Sequence, residues 1–288
     1  MRPANIVTAV ADILAGIIIS GYLTSTTSNS LLPVFLLALS TIGLYGGGVV
    51  FNDVFDAELD RIERPERPIP SGLVSQQSAT ILALLLLLLG IGAAYFVQED
   101  LFSLPVFIAM AISIASVVYD KWGKHHAFLG PVNMGLCRGL NLLLGISIVP
   151  AMVWQYWWLG IVPIIYIGAI TMISRGEVHG GKKTTIYTAA FLYLLVLAAI
   201  SWLAYTNGHL LYATGFILLF GIMILLPLSK AMQDPVAKNI RQSVKAGVLA
   251  VILMNAAWAA AFGAPAWALL ILCLLPLSLL FAKLFAVT

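Results

Sequence analysis

Long apolar runs recur from one end of this chain to the other, and no other feature limits its fold as much. They fall at residues 4–23, 31–51, 76–97, 101–119, 128–149, 154–173, 184–205, 209–229, 240–262 and 265–286. Each is close to the roughly 20 residues a helix needs to cross a hydrocarbon core. In lipid, every backbone N–H and C=O must be satisfied within the protein, which makes helices the natural way for such runs to cross. Composition agrees, with 61% of the 288 residues hydrophobic and 9% charged, too little charge to cover a water-facing surface. The expected fold class is all-α integral membrane, a multi-span helical bundle with residues 1–288 as one transmembrane domain.

The basic residues orient the bundle. With a cytoplasmic N-terminus, the outer loops lie around Ser25–Ser30, Gln98–Asp100, Pro150–Gln155, Tyr205–His209 and Gly263–Pro265, and none holds a Lys or Arg. The loop cations Arg61, Arg64, Arg67, Lys121, Lys124, Arg175, Lys182, Lys183, Lys230, Lys238 and Arg241 all fall on the other side. This pattern predicts both termini and the polar loops on the cytoplasmic face of a cell inner membrane. The net charge of +3 then reflects topology, and no nucleic-acid partner is expected. No A-x-A-like cleavage site stands directly before Ser25–Ser30, where the first apolar stretch ends, so that stretch reads as a retained helix. Cys137 and Cys273 lie inside spans and read as packing residues, not as a disulfide or metal pair.

Polar residues in such a chain gather where protein or water can satisfy them. The loop after the second span begins Asn52-Asp53-Val54-Phe55-Asp56-Ala57-Glu58-Leu59-Asp60. On a helix Asp53, Asp56 and Asp60 are spaced i, i+3, i+7 and share one face. Carboxylates on one stripe repel each other unless a cation sits among them. Hard oxygen ligands of this kind suit Mg²⁺, which keeps waters and bridges to substrate phosphates. A solvated acidic helix end is the other reading of the same residues.

Asn-Asp-x-x-Asp-x-x-x-Asp, followed by Arg64-Pro65-Glu66-Arg67-Pro68-Ile69-Pro70-Ser71-Gly72, resembles the first aspartate-rich motif of the UbiA prenyltransferase superfamily. The Arg2-Pro3 opening and Asn5 on the first span extend the likeness, as does the order of spans and loops. The resemblance implies nine core helices, here with an extra C-terminal one, around a cavity open to the cytoplasm and sideways to lipid. It also implies that an allylic diphosphate there loses pyrophosphate to Mg²⁺ and alkylates an acceptor. On that basis the expected metal ligands are Asn52, Asp53, Asp56, Asp60 and Glu177, with Asn5, Arg64 and Arg67 on substrate.

Three further regions follow from the residues and the likeness together. Tyr119-Asp120-Lys121-Trp122-Gly123-Lys124 is similar to the family's Tyr-plus-Lys loop. Either Lys121 or Lys124 could reach a phosphate as a point charge, and Tyr119 could offer its π face to a carbocation; an interfacial anchor is the competing reading. The fifth span carries Asn133, Arg138 and Asn141, of which Asn133 and Arg138 are the candidates for substrate. Arg138 lies about two turns inside, where burying it costs at least ~2.5 kcal/mol. It needs either a diphosphate, held by its fork, or an internal partner such as Asp12. In the third loop, Gly181-Lys182-Lys183-Thr184 matches the tail of the family's second motif and puts Lys182 on substrate. The motif's two carboxylates fall on Ile173 and Glu177, so one is missing; Ser174 or His179 are the nearby substitutes.

The remaining signals are structural. Gly43 and Gly47 stand in G-x-x-x-G register, which predicts close packing of the second and third spans. The loop from Lys230 to Lys245 reads as a solvated basic surface, and Trp154, Trp157 and Trp158 as an outer interfacial belt. The departures in the third loop and fifth span are similar to the EboC-like members of the superfamily, which implies a specialised metabolite as acceptor. Two function classes follow. One is a prenyltransferase using Mg²⁺, an isoprenyl diphosphate donor and a lipophilic acceptor. The other is a protein of the same fold that binds or moves an isoprenoid-like metabolite.

Overall fold

The structure, a computed structural model, describes residues 3–25, 30–126, 128–178 and 180–284, and the side chain of His125 is left out of the description. Arg2 and His179, both invoked above, lie outside the described residues.

The described residues form helices α1 (Pro3–Ile19), α2 (Leu32–Phe55), α3 (Ala57–Glu63), α4 (Gln76–Tyr95), α5 (Leu104–Lys121), α6 (Leu129–Ile146), α7 (Pro150–Tyr156), α8 (Ile161–Ser174), α9 (Lys183–Thr206), α10 (Leu210–Gln233), α11 (Ala237–Ala261), α12 (Pro265–Leu272) and α13 (Leu274–Leu284). Each expected span coincides with a helix or an interrupted helix. Eight are long and apolar enough to cross a membrane; α1 is shorter, and α6 carries the polar residues already noted. Two spans expected to be continuous are broken. The sixth divides at a 3₁₀ turn over Trp157–Gly160, and the last at Cys273.

Small residues set the helix spacing. A Cβ on Gly43 would lie 2.7 Å from the Leu86 carbonyl oxygen, and one on Gly90 would lie 2.8 Å from that of Ser40. The α2–α4 crossing is therefore backbone to backbone, as the G-x-x-x-G register predicts. Ser40 Oγ fastens it by donating to the Gly90 carbonyl at 2.7 Å. Gly16 on α1 meets Gly145 on α6 with the same intimacy.

In the second half of the chain, Tyr166, Tyr193 and Phe220 pack ring to ring. The Tyr166 hydroxyl donates to the Gly247 carbonyl at 2.7 Å. Helices α1 and α11 are the most enclosed: α11 is buried almost throughout its C-terminal half, with Trp258 fully so. The extra C-terminal helix α13 packs on α1, where Ser278 Oγ donates to the Ala4 carbonyl at 3.2 Å.

The polar loops meet at one end. Lys124, just after α5, pairs with Asp56 at the α2–α3 junction. The Gly181 N–H donates to the Pro235 carbonyl at 3.0 Å, joining the loops on either side of α9–α10. Gly180 makes that approach possible: its φ is +85°, and a Cβ there would sit 2.9 Å from the Pro235 oxygen. The left-handed backbone and the close contact both favour glycine.

Candidate active site

The junction that carries the acidic motif is not one uninterrupted helix. Helix α2 stops at Phe55, Asp56 caps it, and α3 starts at Ala57. The Asp56 and Asp60 N–H groups still reach back to the Asn52 and Asp56 carbonyls, at 3.0 and 2.8 Å. The helical progression is thus bent rather than lost. It splits the expected stripe: Asp60 and Asp53 turn to Arg67, at 2.6 and 3.6 Å, while Asp56 turns to Lys124. Asn52 Nδ2 donates to Asp120 Oδ1 at 3.0 Å. The Arg-Pro-x-Arg-Pro segment brings Arg67 back because its prolines stop α3 from continuing.

Asn52, Asp56, Asp60, Arg67 and Asp120 rim a cavity of about 480 Å³ inside the bundle. Its mouth is lined by Asn52, Asp56, Asp60, Arg64, Arg67, Tyr119, Asp120 and Glu177. Its walls are apolar, with Leu44, Val49, Ile112, Ile167, Ile170, Val248 and Val251. The far end carries Thr41, Tyr45, Arg138 and Asn141, and Asn5 of α1 also lines the cavity. A charged mouth on a greasy body suits a molecule with an anionic head and a hydrocarbon tail.

Among the described residues, no three His, Cys, Asp or Glu side chains stand together as a ready cage. Mg²⁺ does not require one, since it takes one or two carboxylates along with waters and substrate phosphates. The donor set fits that use. Oxygens of Asn52, Asp56, Asp60, Asp120 and Glu177 line one cavity, and the buried Glu177 Oε1 has no hydrogen-bond partner. Burial pushes the Glu177 carboxyl above the ordinary glutamate range, against the opposing pull of Arg241 and Arg64. Ile173, where the second motif would have its other carboxylate, is 2% exposed and part of the core.

Several sequence-based assignments move. Arg138 was a candidate for diphosphate. The structure gives it the internal partner instead: it is 6% exposed, donates from Nη1 to Asp12 Oδ2 at 2.7 Å, and donates from Nη2 to Thr8 Oγ1. A buried cation takes the nearest fixed anion, and α1 supplies one. Asn133 does not line the cavity. With its amide oriented to pair both groups, it donates to the Ala115 carbonyl and accepts from the Tyr119 N–H, each at 3.2 Å. It thereby holds the end of α5 rather than a ligand.

Lys121 is exposed and lies over the Trp122 ring at 4.4 Å, so only Lys124 of the pair reaches the acidic motif. Lys182 is exposed and lines a separate hollow of about 300 Å³ with Arg175 and Thr185. Asp53 contacts Arg67 but does not line the cavity. His126 caps α6, its Nδ1 accepting from the Phe128 and Leu129 N–H groups at 3.2 and 3.1 Å.

Two features escaped the sequence. Asp120, 4% exposed, is tied to Asn52; its signal was a carboxylate on the last turn of an apolar helix. The second is the extent of the polar far end: beyond the Asp12–Arg138 pair that the sequence offered, Asp12 accepts from Asn141 Nδ2 at 3.2 Å and Asn255 Nδ2 at 2.7 Å. The Asn141 carboxamide oxygen in turn accepts from Thr41 Oγ1 at 2.7 Å. Polar residues on four different apolar helices were the available sign.

Comparison with known proteins agrees with this fold. The sequence profile of the UbiA prenyltransferase family matches residues 13–246. A digeranylgeranylglyceryl phosphate synthase from Methanothrix thermoacetophila is 33% identical over 145 residues, which is 50% of this chain and 51% of that one. The chain thus matches about half the length of that relative. The synthase of the same name from Methanospirillum hungatei is 28% identical over 88% of this chain and 94% of its own.

Among solved structures, a UbiA homolog from Aeropyrum pernix K1 superposes with a TM-score of 0.71 at 15% identity, over 89% of this chain and 98% of that one. A structure of digeranylgeranylglyceryl phosphate synthase in membranes gives a TM-score of 0.66 at 20% identity, over 91% and 95%. Both show the fold. With the profile spanning most of its length, and with eight helices fit to cross a bilayer, this chain is an integral membrane protein belonging to the UbiA prenyltransferase family.

Proposed function

We propose that the protein is an intramembrane prenyltransferase that moves an isoprenyl group from an isoprenyl diphosphate to a lipophilic acceptor, with Mg²⁺. The observation that carries this reading is the cavity itself: acidic oxygens and cations crowd its mouth while its walls are apolar. A diphosphate is the head such a mouth suits, and an isoprenoid is the tail such walls suit.

Asn52, Asp56, Asp60, Asp120 and Glu177 would hold the metal, which would supply neutralising charge for a departing pyrophosphate. Arg64, Arg67 and Lys124 bind the diphosphate oxygens and hold them at the mouth. The existing ion pairs of Arg67 with Asp60 and of Lys124 with Asp56 keep these groups poised until a ligand rearranges them. The C1–O bond of the donor breaks, pyrophosphate departs with the electron pair, and the acceptor's nucleophile bonds to C1. The acceptor then loses its proton to a mouth carboxylate or water. Tyr119 lines the path and stabilises positive charge at C1 through its ring face. The apolar wall excludes water that would otherwise quench the allylic cation. Asp53, held by Arg67, orients that arginine. The polar loops face the cytoplasm of a cell inner membrane.

The names of the relatives make geranylgeranyl diphosphate the first donor to test. Purified protein with that donor and a total lipid extract should release pyrophosphate only with Mg²⁺, and Asp56→Ala should abolish the release. Unchanged release in that variant would sink the assignment. One observation favours a second reading, binding or transport of an isoprenoid without transfer. The second motif retains a single carboxylate, with Ile173 in the core in place of the other. Donor binding without pyrophosphate release would select it.

A further inference from the structure

The far end of the cavity is polar at a depth where its surroundings are apolar, and the donor chemistry leaves that end without a task. Arg138 spends two of the guanidinium's five N–H donors on Asp12 and Thr8. The side chain also lines the cavity and lies 5.2 Å from the centre of the Tyr45 ring. The remaining donors have no protein partner among the described residues. A donor that lines a mostly apolar cavity gains from being met, so an oxygen in the cavity would be held there.

Charge narrows what that oxygen belongs to. Asp12 is 1% exposed and accepts from Arg138, Asn141 and Asn255. The arginine's charge is therefore already matched by a carboxylate with fixed donors around it. A second anion would bring unmatched charge into a low-dielectric interior, whereas a neutral oxygen would not. Length narrows it further. Tyr45 at this end and Asn52 at the mouth are seven residues apart on α2, about 10 Å along the axis. That leaves room for a ring or a short chain between the oxygen and the reacting carbon.

We propose that Arg138, held by Asp12, sets acceptor specificity. It hydrogen-bonds a neutral hydroxyl, phenol or carbonyl oxygen at the deep end of a lipophilic acceptor and disfavours an acceptor whose deep end is anionic. The inference rests on the prenyltransferase reading and deepens it.

The test uses three probes on one scaffold, 1-naphthol, 1-naphthoate and naphthalene, bound to purified full-length protein and read by naphthyl fluorescence. Each is titrated with and without geranylgeranyl thiodiphosphate and Mg²⁺. The wild type should bind naphthol about tenfold more tightly than either other probe. Asp12→Asn leaves Arg138 unmatched and should turn the preference towards naphthoate, which a purely structural pair would not do. Arg138→Met combined with Asp12→Leu removes both charges together and should bring naphthol and naphthalene to within about twofold. Mg²⁺-dependent thiodiphosphate binding at the mouth shows that each variant is folded.

Equal or tighter binding of naphthoate by the wild type would overturn the inference. So would a naphthol preference that survives in the folded double variant, or no saturable binding of any probe. If thiodiphosphate fails to bind the wild type, the prenyltransferase reading fails instead, and the probe preference in donor-free protein still tests the deep end separately.

Discussion

Arg138→Met should cost far more stability than the double variant Asp12→Leu/Arg138→Met. In the single variant, Asp12, 1% exposed in the wild type, loses its only ion pair among the described residues, while the amides of Asn141 and Asn255 remain. Removing one partner of a buried pair costs about 3–5 kcal/mol, because the other charge is left unmatched. The two retained amide donors place the expected loss near the lower end, about 3 kcal/mol. Replacing both residues with apolar side chains removes the unmatched charge as well as the pair, so the double variant should lie within about 1 kcal/mol of the wild type. The assay is equilibrium unfolding by SDS titration from mild detergent, followed by tryptophan fluorescence and completed as a double-mutant cycle with Asp12→Leu. A loss below about 1 kcal/mol for the single variant, or a double variant no more stable than the single, would refute the reasoning.

Other outcomes follow from the same geometry. Gly90→Leu should weaken the α2–α4 crossing by ~1–3 kcal/mol in that titration, since even a Cβ meets the Ser40 oxygen at 2.8 Å; a neutral effect would mean the helices separate freely. Lys124→Ala should lower thiodiphosphate affinity about tenfold, and Lys121→Ala should leave it within about twofold, because of the two lysines only Lys124 touches the acidic motif. Glu177 is raised by burial, so the folded state favours its protonated form. Without metal, its contribution is present at low pH and is lost as pH rises from the ordinary glutamate range through the folded value. Glu177→Gln should accordingly gain stability over the wild type across that rise and show no gain below it. A gain of equal size at every pH would contradict this.

Much of the architecture was legible because lipid imposes simple rules. Apolar length marks the spans, and G-x-x-x-G marks the α2–α4 contact. Broken helices were less legible. Nothing in the hydropathy of Trp154–Ile173 distinguishes a continuous helix from one interrupted at Trp157–Gly160, since both bury the same side chains. The acidic motif could be read as metal-binding chemistry, but not as a junction, because helical spacing assumes the straight helix that Asp56 interrupts. Arg138 was ambiguous for a different reason. A buried cation requires an anion, and the sequence holds candidates both at the mouth and on α1. Only the α1–α6 contact at Gly16 and Gly145 brings Asp12 to it. Lys124 and Lys182 are alike in sequence as loop cations, and loop direction alone sends the first to Asp56 and the second to a separate hollow.

The central claim is that the acidic mouth of the cavity receives an isoprenyl diphosphate with Mg²⁺. Its most direct test is equilibrium binding of geranylgeranyl thiodiphosphate to the purified protein with and without Mg²⁺, repeated in Asp56→Ala. Tight binding that needs Mg²⁺ and vanishes in the variant is the expected result. Binding indifferent to Mg²⁺, or retained in Asp56→Ala, would contradict it.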